Sequence, residues 1–207
     1  WNEKFSCLRA DLQSFHPHNT RFPAFVSNDA LGLLTFMQTE LRNNHSIILK
    51  SSSEAASRGI IVFDDINALS EKVVRQRLEA YGPWLVAQRV TKQIFKLGET
   101  RVFIIDGKIS GCLRKFPTTK NIVMSFDAIK SQQPEVFLGK CTSSQEKISR
   151  YLARKLKADR IYFATIDFIG DDVLEVNVTS PGLVRWYDEH INAHDKKLST
   201  LYWKGLL

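Results

Sequence analysis

Cysteine is scarce in this chain, and long apolar runs are absent. Three cysteines occur among 207 residues and no two have CxxC spacing, so neither a disulfide framework nor a zinc knuckle follows. No apolar run approaches the roughly 18 residues of a membrane-spanning helix, and the first residues do not resemble a signal peptide. These absences exclude a disulfide-stapled miniprotein, and they predict a reducing, cytoplasmic setting without a membrane partner.

Glycine and proline are also few, at 10 and 6 residues, which argues against collagen-like and low-complexity segments. Hydrophobic residues make up 43% of the chain and charged residues 25%, as in a folded globular protein. Lys and Arg outnumber Asp and Glu by 29 to 22, which gives a net charge of +7. A basic balance suits a polyanion, either nucleic acid or the phosphates of a nucleotide. The basic residues are scattered without a recognised nucleic-acid motif, so we expect no nucleic-acid partner.

Two antiparallel hairpins are predicted along the chain. Asp106-Gly107 is the strongest hairpin signal, because this dipeptide favours a tight turn between two strands. A second hairpin is expected around Gly170-Asp171-Asp172. The predicted flanking strands are 101–105 and 108–116 for the first hairpin, and 160–168 and 173–178 for the second. Helices between these hairpins exclude a doubly wound parallel sheet and predict an α+β fold.

Four helices are predicted from apolar spacing and from terminal signals. Ser27 is expected to cap the first helix. Ser143 to Glu146 matches a capping box, and Ser180-Pro181 would place proline in the first turn of the last helix. The predicted helical ranges are 28–41, 70–81, 143–157 and 180–194.

Two lobes are expected, dividing near Val90. Residues 1–90 would form a smaller lobe with a loop at 51–59, and residues 91–207 would form the second. The length suits such a pair and leaves room for sizeable cores. Because the chain begins at Trp1 rather than Met, we expect a fragment or a processed product.

The second predicted hairpin brings acidic side chains together. With the turn centred on Asp171, Asp167 lies opposite Glu175, and Asn177 points to the same face as Glu175. Cross-strand neighbours lie about 4.5–5.5 Å apart, where two like charges destabilise a sheet. Mg²⁺ binds one or two carboxylates together with substrate phosphates, so this face is a candidate metal site. The alternative is a solvated hairpin face whose register is off by one residue.

Basic residues at strand ends are candidate phosphate ligands. Lys50 ends an apolar strand before a loop of small residues, which suits a lysine reaching phosphates beneath a mobile flap. Arg101 opens one strand of the first hairpin, and Arg114 and Lys115 close the other. These positions bring two or three cations near each other as a clamp for phosphate. The alternatives are an exposed strand-end lysine and an ordinary charged surface.

A specific motif spans the second hairpin: Ile166-Asp167-Phe168-Ile169-Gly170-Asp171 is followed by Glu175-Val176-Asn177-Val178-Thr179-Ser180-Pro181. It resembles the Leu-Asp-Ile-Ile-Gly and Glu-Ile-Asn-Val-Thr-Ser-Pro signatures of the ATP-grasp portion of prokaryotic glutathione synthetase. Supporting matches follow in the same order and spacing at 2–4, 48–50, 86–88, 101–107 and 112–117. The resemblance implies an ATP-grasp fold of two α+β lobes with the nucleotide bound in the cleft between them.

The resemblance also implies roles for single residues. Asp167, Glu175 and Asn177 would bind Mg²⁺, and Thr179 and Ser180 would lie beside the acceptor site. The implied nucleotide-binding residues are Lys4, Lys50, the flap residue Ser57, Gln88, Arg89, Val90, Glu99 and Asn177. The implied catalytic residues are Arg101, Arg114 and Lys115.

The activity implied by the resemblance is an ATP- and Mg²⁺-dependent ligation of a carboxylate to an amine through an acyl phosphate. The substrates would be small molecules or peptides, and the family suggests self-association. The flap departs from the family pattern, since Glu54, Ala56 and Ser57 stand where the family has glycines. Lys115 likewise aligns with a family arginine. The alternative function is a nucleotide-binding module that regulates a partner without catalysis.

Overall fold

The computed structural model describes residues 22–51, 59–82, 84–117, 135–178 and 181–205. Lys4, Ser57, Thr179 and Ser180, together with most of the predicted loop 51–59, lie outside the described residues. The chain divides into two compact units. Of the described residues, the N-terminal unit contains those up to Lys92, and the C-terminal unit contains those from Gln93 onward.

A four-stranded antiparallel sheet forms the base of the N-terminal unit. Its strands are β1 (Ala24–Ser27), β2 (Ile47–Ser51), β3 (Ile61–Phe63) and β4 (Leu85–Arg89), in the order β1–β4–β2–β3. Its helices are α1 (Ala30–Arg42) and α2 (Glu71–Tyr81), with a 3-10 turn at Ile66–Ala68. Both helices pack on one face, because their apolar side chains share a core with alternate residues of β2 and β4, including Leu49 and Ala87.

Helix α1 is capped by Asp29, so the predicted cap at Ser27 is wrong. The Asp29 carboxylate accepts the N–H groups of Leu31 at 3.2 Å and Gly32 at 2.9 Å. Ser27 instead accepts the N–H of Asp29 on its hydroxyl at 2.9 Å. Both residue types can cap a helix, and the carboxylate prevails here because it lies within reach of two orphan N–H groups.

The C-terminal unit contains a five-stranded antiparallel sheet. Its strands are β5 (Glu99–Ile105), β6 (Lys108–Phe116), β7 (Glu135–Leu138), β8 (Phe163–Ile169) and β9 (Asp172–Asn177), in the order β7–β6–β5–β8–β9. Its helices are α3 (Ile94–Leu97), α4 (Ser143–Ala158), α5 (Val184–His190) and α6 (Leu198–Lys204), with a 3-10 turn at His194–Lys196. Helices and two antiparallel sheets in mixed order confirm the predicted α+β class.

Both predicted hairpins are present in the C-terminal unit. Asp106 and Gly107 have φ angles of 47° and 72°, as the two central residues of a type I′ turn require. In the second hairpin Ile169 pairs with Asp172 across a two-residue turn. Gly170 has a φ of 60° in that turn, a left-handed conformation that glycine adopts without steric cost.

Helix α4 begins at Ser143, as predicted, but its predicted capping box and the predicted start of the last helix are wrong. The capping box of α4 is formed by Thr142 and Gln145, one residue earlier than the predicted box that began at Ser143. The last predicted helix is broken into shorter pieces. Pro181 precedes it, and α5 begins only after Leu183, whose left-handed φ of 71° interrupts the helical path. The capping box of α4 forms at Thr142 and Gln145 because both side chains also bond to the β8–β9 turn.

Both faces of the C-terminal sheet are covered, since every residue of the central strand β5 is buried. Helices α5 and α6 pack on the face of Phe103, whose ring lies 5.5 Å from that of Tyr187. Helix α4 contacts β6 and β8 and buries Ile148 and Leu152. Within the described ranges, no helix has the length and apolar character needed to cross a membrane.

Candidate functional site

Five ionisable side chains lie in register on the C-terminal sheet. Lys115 on β6 is paired with Glu99 on β5, Arg101 on β5 with Asp167 on β8, and Asp167 with Glu175 on β9. Residues paired across strands share a face, and Glu99 and Arg101 are two residues apart, so all five side chains leave the sheet on the same side. We call these five residues the charged row.

The centre of the charged row is a bidentate pair. Arg101 Nε donates to Asp167 Oδ1 at 2.8 Å, and Arg101 Nη2 donates to Asp167 Oδ2 at 2.7 Å. Asp167 is 1% exposed and Arg101 is 9% exposed. The remaining guanidinium nitrogen, Nη1, donates to the Gly182 carbonyl at 3.4 Å. Each of the three guanidinium nitrogens thus donates a hydrogen bond, which offsets part of the cost of burying the ion pair.

The guanidinium of Arg101 is held in its charged form. Burial by itself lowers the pKa of Arg101, but the Asp167 carboxylate, with help from Glu99 and Glu175, outweighs burial and raises that pKa above its usual value. The positive charge is therefore fixed in position by Asp167 and persists at any pH at which the protein is folded.

Lys115 and Glu99 form a second buried ion pair in the charged row. Burial raises the pKa of Glu99 above its ordinary value, and the nearby Asp167 carboxylate acts in the same direction. The charges of Lys115 and Arg101 oppose this shift without cancelling it. Glu99 therefore binds a proton at higher pH than an ordinary glutamate does.

The predicted pairing of Asp167 with Glu175 is confirmed, but the turn is not centred as predicted. The turn contains only Gly170-Asp171, which by itself would place Asp167 opposite Leu174. A β-bulge shifts the register by one residue between the pairs of Asp167 and Phe168. The predicted register is thus reached through a tighter turn and a compensating bulge.

Asp167, Glu175 and Asn177 offer the oxygen ligands that Mg²⁺ prefers. Asn177 Nδ2 donates to Glu175 Oε1 at 3.2 Å, which brings the amide beside the carboxylate. Each carboxylate oxygen has two lone pairs, so Asp167 keeps acceptor capacity beyond its bonds with Arg101. The charged row contains three carboxylates and two cations, and its excess negative charge suits a divalent cation. Among the described residues, no three His, Cys, Asp or Glu side chains form a metal-binding cluster by themselves.

Arg114 lies on the other face of β6 from Lys115, because successive residues of a strand alternate. Its Nη2 donates to the Leu97 carbonyl at 2.7 Å, and its guanidinium carbon lies 4.9 Å from the centre of the Phe116 ring. Of the three cations expected near each other, the structure therefore brings Arg101 and Lys115 to one face and leaves Arg114 on the opposite one.

Lys50 and Gln88 share one face of the N-terminal sheet. Lys50 is paired with Val86 and Gln88 with Ile48, so these four side chains leave the sheet on one side. Leu49, between Ile48 and Lys50, points to the other side and joins the core beneath α1 and α2. The two polar residues expected to bind nucleotide therefore lie together on the face opposite α1 and α2.

Arg89 and Val90 make contacts within the N-terminal unit. Arg89 Nε donates to Glu40 Oε2 at 2.7 Å, and His45 Nδ1 lies 3.0 Å from the same oxygen. The N–H of Val90 donates to the Ser46 carbonyl at 2.8 Å. The predicted contacts of Arg89 and Val90 with adenine stay predictions.

Glu40 orients Arg89 and was not among the predicted site residues. It is 7% exposed and lies between the core residues Met37 and Leu41 of α1. A carboxylate at a core-facing position signals a buried partner, since an unpaired buried charge is costly. That signal is visible in the sequence, but its partner is 49 residues away, on β4.

Residues 12–192 match the family described as prokaryotic glutathione synthetase, ATP-grasp domain. The chain belongs to this family. Glutathione synthetase of Synechocystis sp. is 30% identical over 152 residues, which cover 72% of this chain and 45% of that protein. The enzyme of Prochlorococcus marinus is 25% identical over 189 residues, covering 87% of this chain and 54% of that protein. The chain thus spans about half the length of these relatives.

Solved structures share the fold. D-cycloserine synthetase DcsG superposes with a TM-score of 0.66 at 17% identity, covering 97% of this chain and 68% of that one. D-alanyl-alanine synthetase A from Vibrio cholerae gives 0.56 at 16% identity, covering 96% of this chain and 59% of that one. With the family match, these similarities confirm the predicted ATP-grasp fold.

Proposed function

We propose that this chain is the ATP-grasp part of an ATP- and Mg²⁺-dependent carboxylate–amine ligase of the glutathione synthetase type. Family membership supports ATP binding, and the relatives are named glutathione synthetase. A substrate carboxylate oxygen attacks the γ-phosphorus of ATP, ADP leaves, and an acyl phosphate forms. The amine nitrogen then attacks the acyl carbon, and phosphate leaves as the amide bond forms.

The position of Asp167 between Arg101 and Glu175 is the observation that carries this proposal. Phosphoryl transfer is accelerated mainly by fixed charges that stabilise negative oxygens. The charged row places a fixed guanidinium beside carboxylates that suit a metal ion. Because Arg101 is already held at two nitrogens, little reorganisation is needed when phosphate charge develops.

Asp167, Glu175 and Asn177 are proposed to hold Mg²⁺. The bound ion would neutralise charge on the phosphate oxygens and polarise the γ-phosphate. The hydrogen bond from Asn177 to Glu175 keeps two of these ligands side by side. Arg101 fixes the rotamer of Asp167 from the opposite side of the row.

Nucleotide-binding residues are proposed within each of the two units. Lys50 and Gln88, which share a sheet face, would bind phosphate and adenine respectively. Lys115 and Arg101 would bind the transferring phosphate from the C-terminal unit. The remaining proposed nucleotide contacts are Lys4, Ser57, Arg89, Val90 and Glu99.

The proposed substrates are a small-molecule or peptide carboxylate and an amine. One neighbour in fold, PsnB, is an ATP-grasp ligase whose structure holds a minimal precursor with Mg and ADP. Another is named for D-alanyl-alanine synthesis. We further propose self-association and a reducing, cytoplasmic setting, the latter because the three cysteines are an odd count without CxxC spacing.

A second candidate function is a nucleotide-binding module that regulates a partner without catalysis. The charges of Arg101 and Lys115 are both matched by carboxylates within the charged row, which favours this alternative. Turnover decides between the two functions, because a regulatory module binds ATP without releasing phosphate.

Phosphate release is the test of the proposed ligase. The 207-residue chain is incubated with ATP, Mg²⁺, γ-glutamylcysteine and glycine, and then with a panel of other carboxylate and amine pairs. We expect phosphate release that requires both substrates and is accompanied by an amide product in the mass spectrum. The substitution Glu175→Gln should abolish this release. ATP binding without turnover of any pair would contradict the ligase and support the regulatory module.

A further inference from the structure

The start of helix α4 is bonded to the turn between β8 and β9. The Thr142 hydroxyl accepts the N–H of Gln145 at 3.1 Å and donates to Asp171 Oδ1 at 2.7 Å. Gln145 Oε1 accepts the N–H of Thr142 at 3.0 Å, and Gln145 Nε2 donates to the Gly170 carbonyl at 2.6 Å. One pair of side chains therefore caps the helix and holds both residues of the turn.

The side chain of Gln145 uses its oxygen to cap the helix and its nitrogen to bond the turn. A capping box needs only an acceptor at this position, and glutamate serves that purpose as well as glutamine. Glutamate would also be favoured by the helix dipole. The bond to Gly170 needs a donor, which glutamate lacks at neutral pH. Gln145 is 3% exposed, so its amide has little access to water as a substitute partner.

The turn held in this way determines which acidic residues face each other. It contains only Gly170-Asp171, and the bulge in the next pairs then places Glu175 opposite Asp167. A slip of one residue would turn the side chains of β9 to the other face. Fixing the turn therefore fixes the distance and register of the proposed metal ligands.

We infer that Thr142 and Gln145 are positioning residues for the metal-binding hairpin. They act by holding the Gly170-Asp171 turn, so that Asp167 and Glu175 stay opposite each other on the charged row. This inference rests on the proposed function for its effect on Mg²⁺, whereas its effect on the hairpin itself is independent of any ligand.

Gln145→Glu separates the two tasks of this residue. The variant keeps the acceptor of the capping box and removes the donor to Gly170, so α4 stays capped while the turn loses its anchor. Ser143→Glu is the matched control, because it adds the same charge in the same helical turn without replacing either bond. Thr142→Ser keeps the hydroxyl, and Thr142→Val removes it.

Hydrogen exchange of residues 169–175 and the Mg²⁺ requirement for ATP binding are the two measurements. For Gln145→Glu and Thr142→Val we expect faster exchange in the hairpin and an increase of about tenfold in the Mg²⁺ concentration for half-maximal ATP binding, as for other residues that orient metal ligands. ATP affinity without Mg²⁺ and exchange in α4 of Gln145→Glu should not change. Ser143→Glu and Thr142→Ser should behave as the unsubstituted chain.

The outcomes separate this inference from the proposed function. Unchanged hairpin exchange in Gln145→Glu and Thr142→Val would overturn the positioning role and reduce both residues to helix caps. Faster exchange with an unchanged Mg²⁺ requirement would also overturn it, because the turn would then not govern the metal ligands. If the unsubstituted chain shows no Mg²⁺-dependent ATP binding, the proposed metal site fails, and hairpin exchange alone decides whether these residues hold the turn.

Discussion

The two sheets of this protein differ in where an arginine finds its carboxylate partner. On the C-terminal sheet, Arg101 is bonded at two nitrogens to Asp167 on the adjacent strand, with both residues buried. On the N-terminal sheet, Arg89 extends to Glu40 on α1, and its side chain is 25% exposed. The C-terminal sheet thus keeps its charges within the sheet itself, as a fixed electrostatic site, whereas the N-terminal sheet uses charge to join a strand to a helix.

Removing Arg101 should have the largest effect on stability. Arg101→Met leaves the buried Asp167 carboxylate without its bidentate partner, which costs about 3–5 kcal/mol in comparable buried pairs. Urea denaturation followed by circular dichroism measures the change in the free energy of unfolding. Arg101→Lys keeps the charge but loses the fork, so it should fall between Arg101→Met and the unsubstituted chain. If Arg101→Met lowers the free energy of unfolding by less than about 1 kcal/mol, the ion pair between Arg101 and Asp167 stabilises the fold no more than an exposed ion pair does.

Arg89→Met should cost less, about 1–2 kcal/mol, because its ion pair is partly solvated and His45 also lies against Glu40. The same denaturation assay measures it, with Arg75→Met as a control for an exposed pair within a single helix. If Arg89→Met lowers the free energy of unfolding as much as Arg101→Met does, the proposed difference between the ion pairs of the two sheets is wrong.

Glu99 should make stability depend on pH in the direction of its raised pKa. The folded state binds the Glu99 proton more tightly than the unfolded state does, so this contribution is full below the ordinary pKa of 4.5 and is lost as pH rises through the higher folded value. The free energy of unfolding of the unsubstituted chain, relative to that of Glu99→Gln, should therefore decrease from pH 4 to pH 7. The decrease should be at most about 1.4 kcal/mol per pH unit. Parallel urea titrations measure the difference, and an advantage that grows with pH would contradict the assignment.

Lys50→Met should have the smallest effect on folding and a large one on ligand binding. Lys50 is half-buried, and methionine retains the apolar part of its stem, so we expect a change in the free energy of unfolding within about 1 kcal/mol. Because Lys50 is proposed to bind phosphate, ATP affinity should fall at least tenfold in a calorimetric titration. Arg42→Met, at the last turn of α1, is the control for loss of one positive charge.

Local signals in the sequence predicted the existence of both hairpins better than the residues that cap the helices. Gly170 and Asp106-Gly107 appear where the chain needs positive φ angles, and both hairpins form around them. The caps were displaced because Ser, Thr and Asp compete for neighbouring positions. Thr142 prevails over Ser143 through its bond to Asp171, a contact from a distant turn that no local pattern contains.

The charged row was predicted only in part, for a similar reason. The hairpin signal placed Asp167 opposite Glu175, although the bulge that completes this pairing has no marker in the sequence. The pairing of β5 with β8 brings together residues 66 positions apart, so the bond from Arg101 to Asp167 did not follow from spacing. Alternation of side chains along β6 separates Arg114 from Lys115, and this separation follows from the sequence alone once the strand is assigned.

The most direct test of the charged row as a metal–nucleotide site is calorimetric titration of the chain with ATP, with and without Mg²⁺. Glu175→Gln is the matched variant, because Glu175 is less buried than Asp167 and its loss leaves the pair with Arg101 in place. The account predicts saturable binding near one ATP per chain that strengthens with Mg²⁺, and loss of that strengthening in Glu175→Gln. Equal ATP affinity with and without Mg²⁺, or an unchanged response in Glu175→Gln, would contradict it.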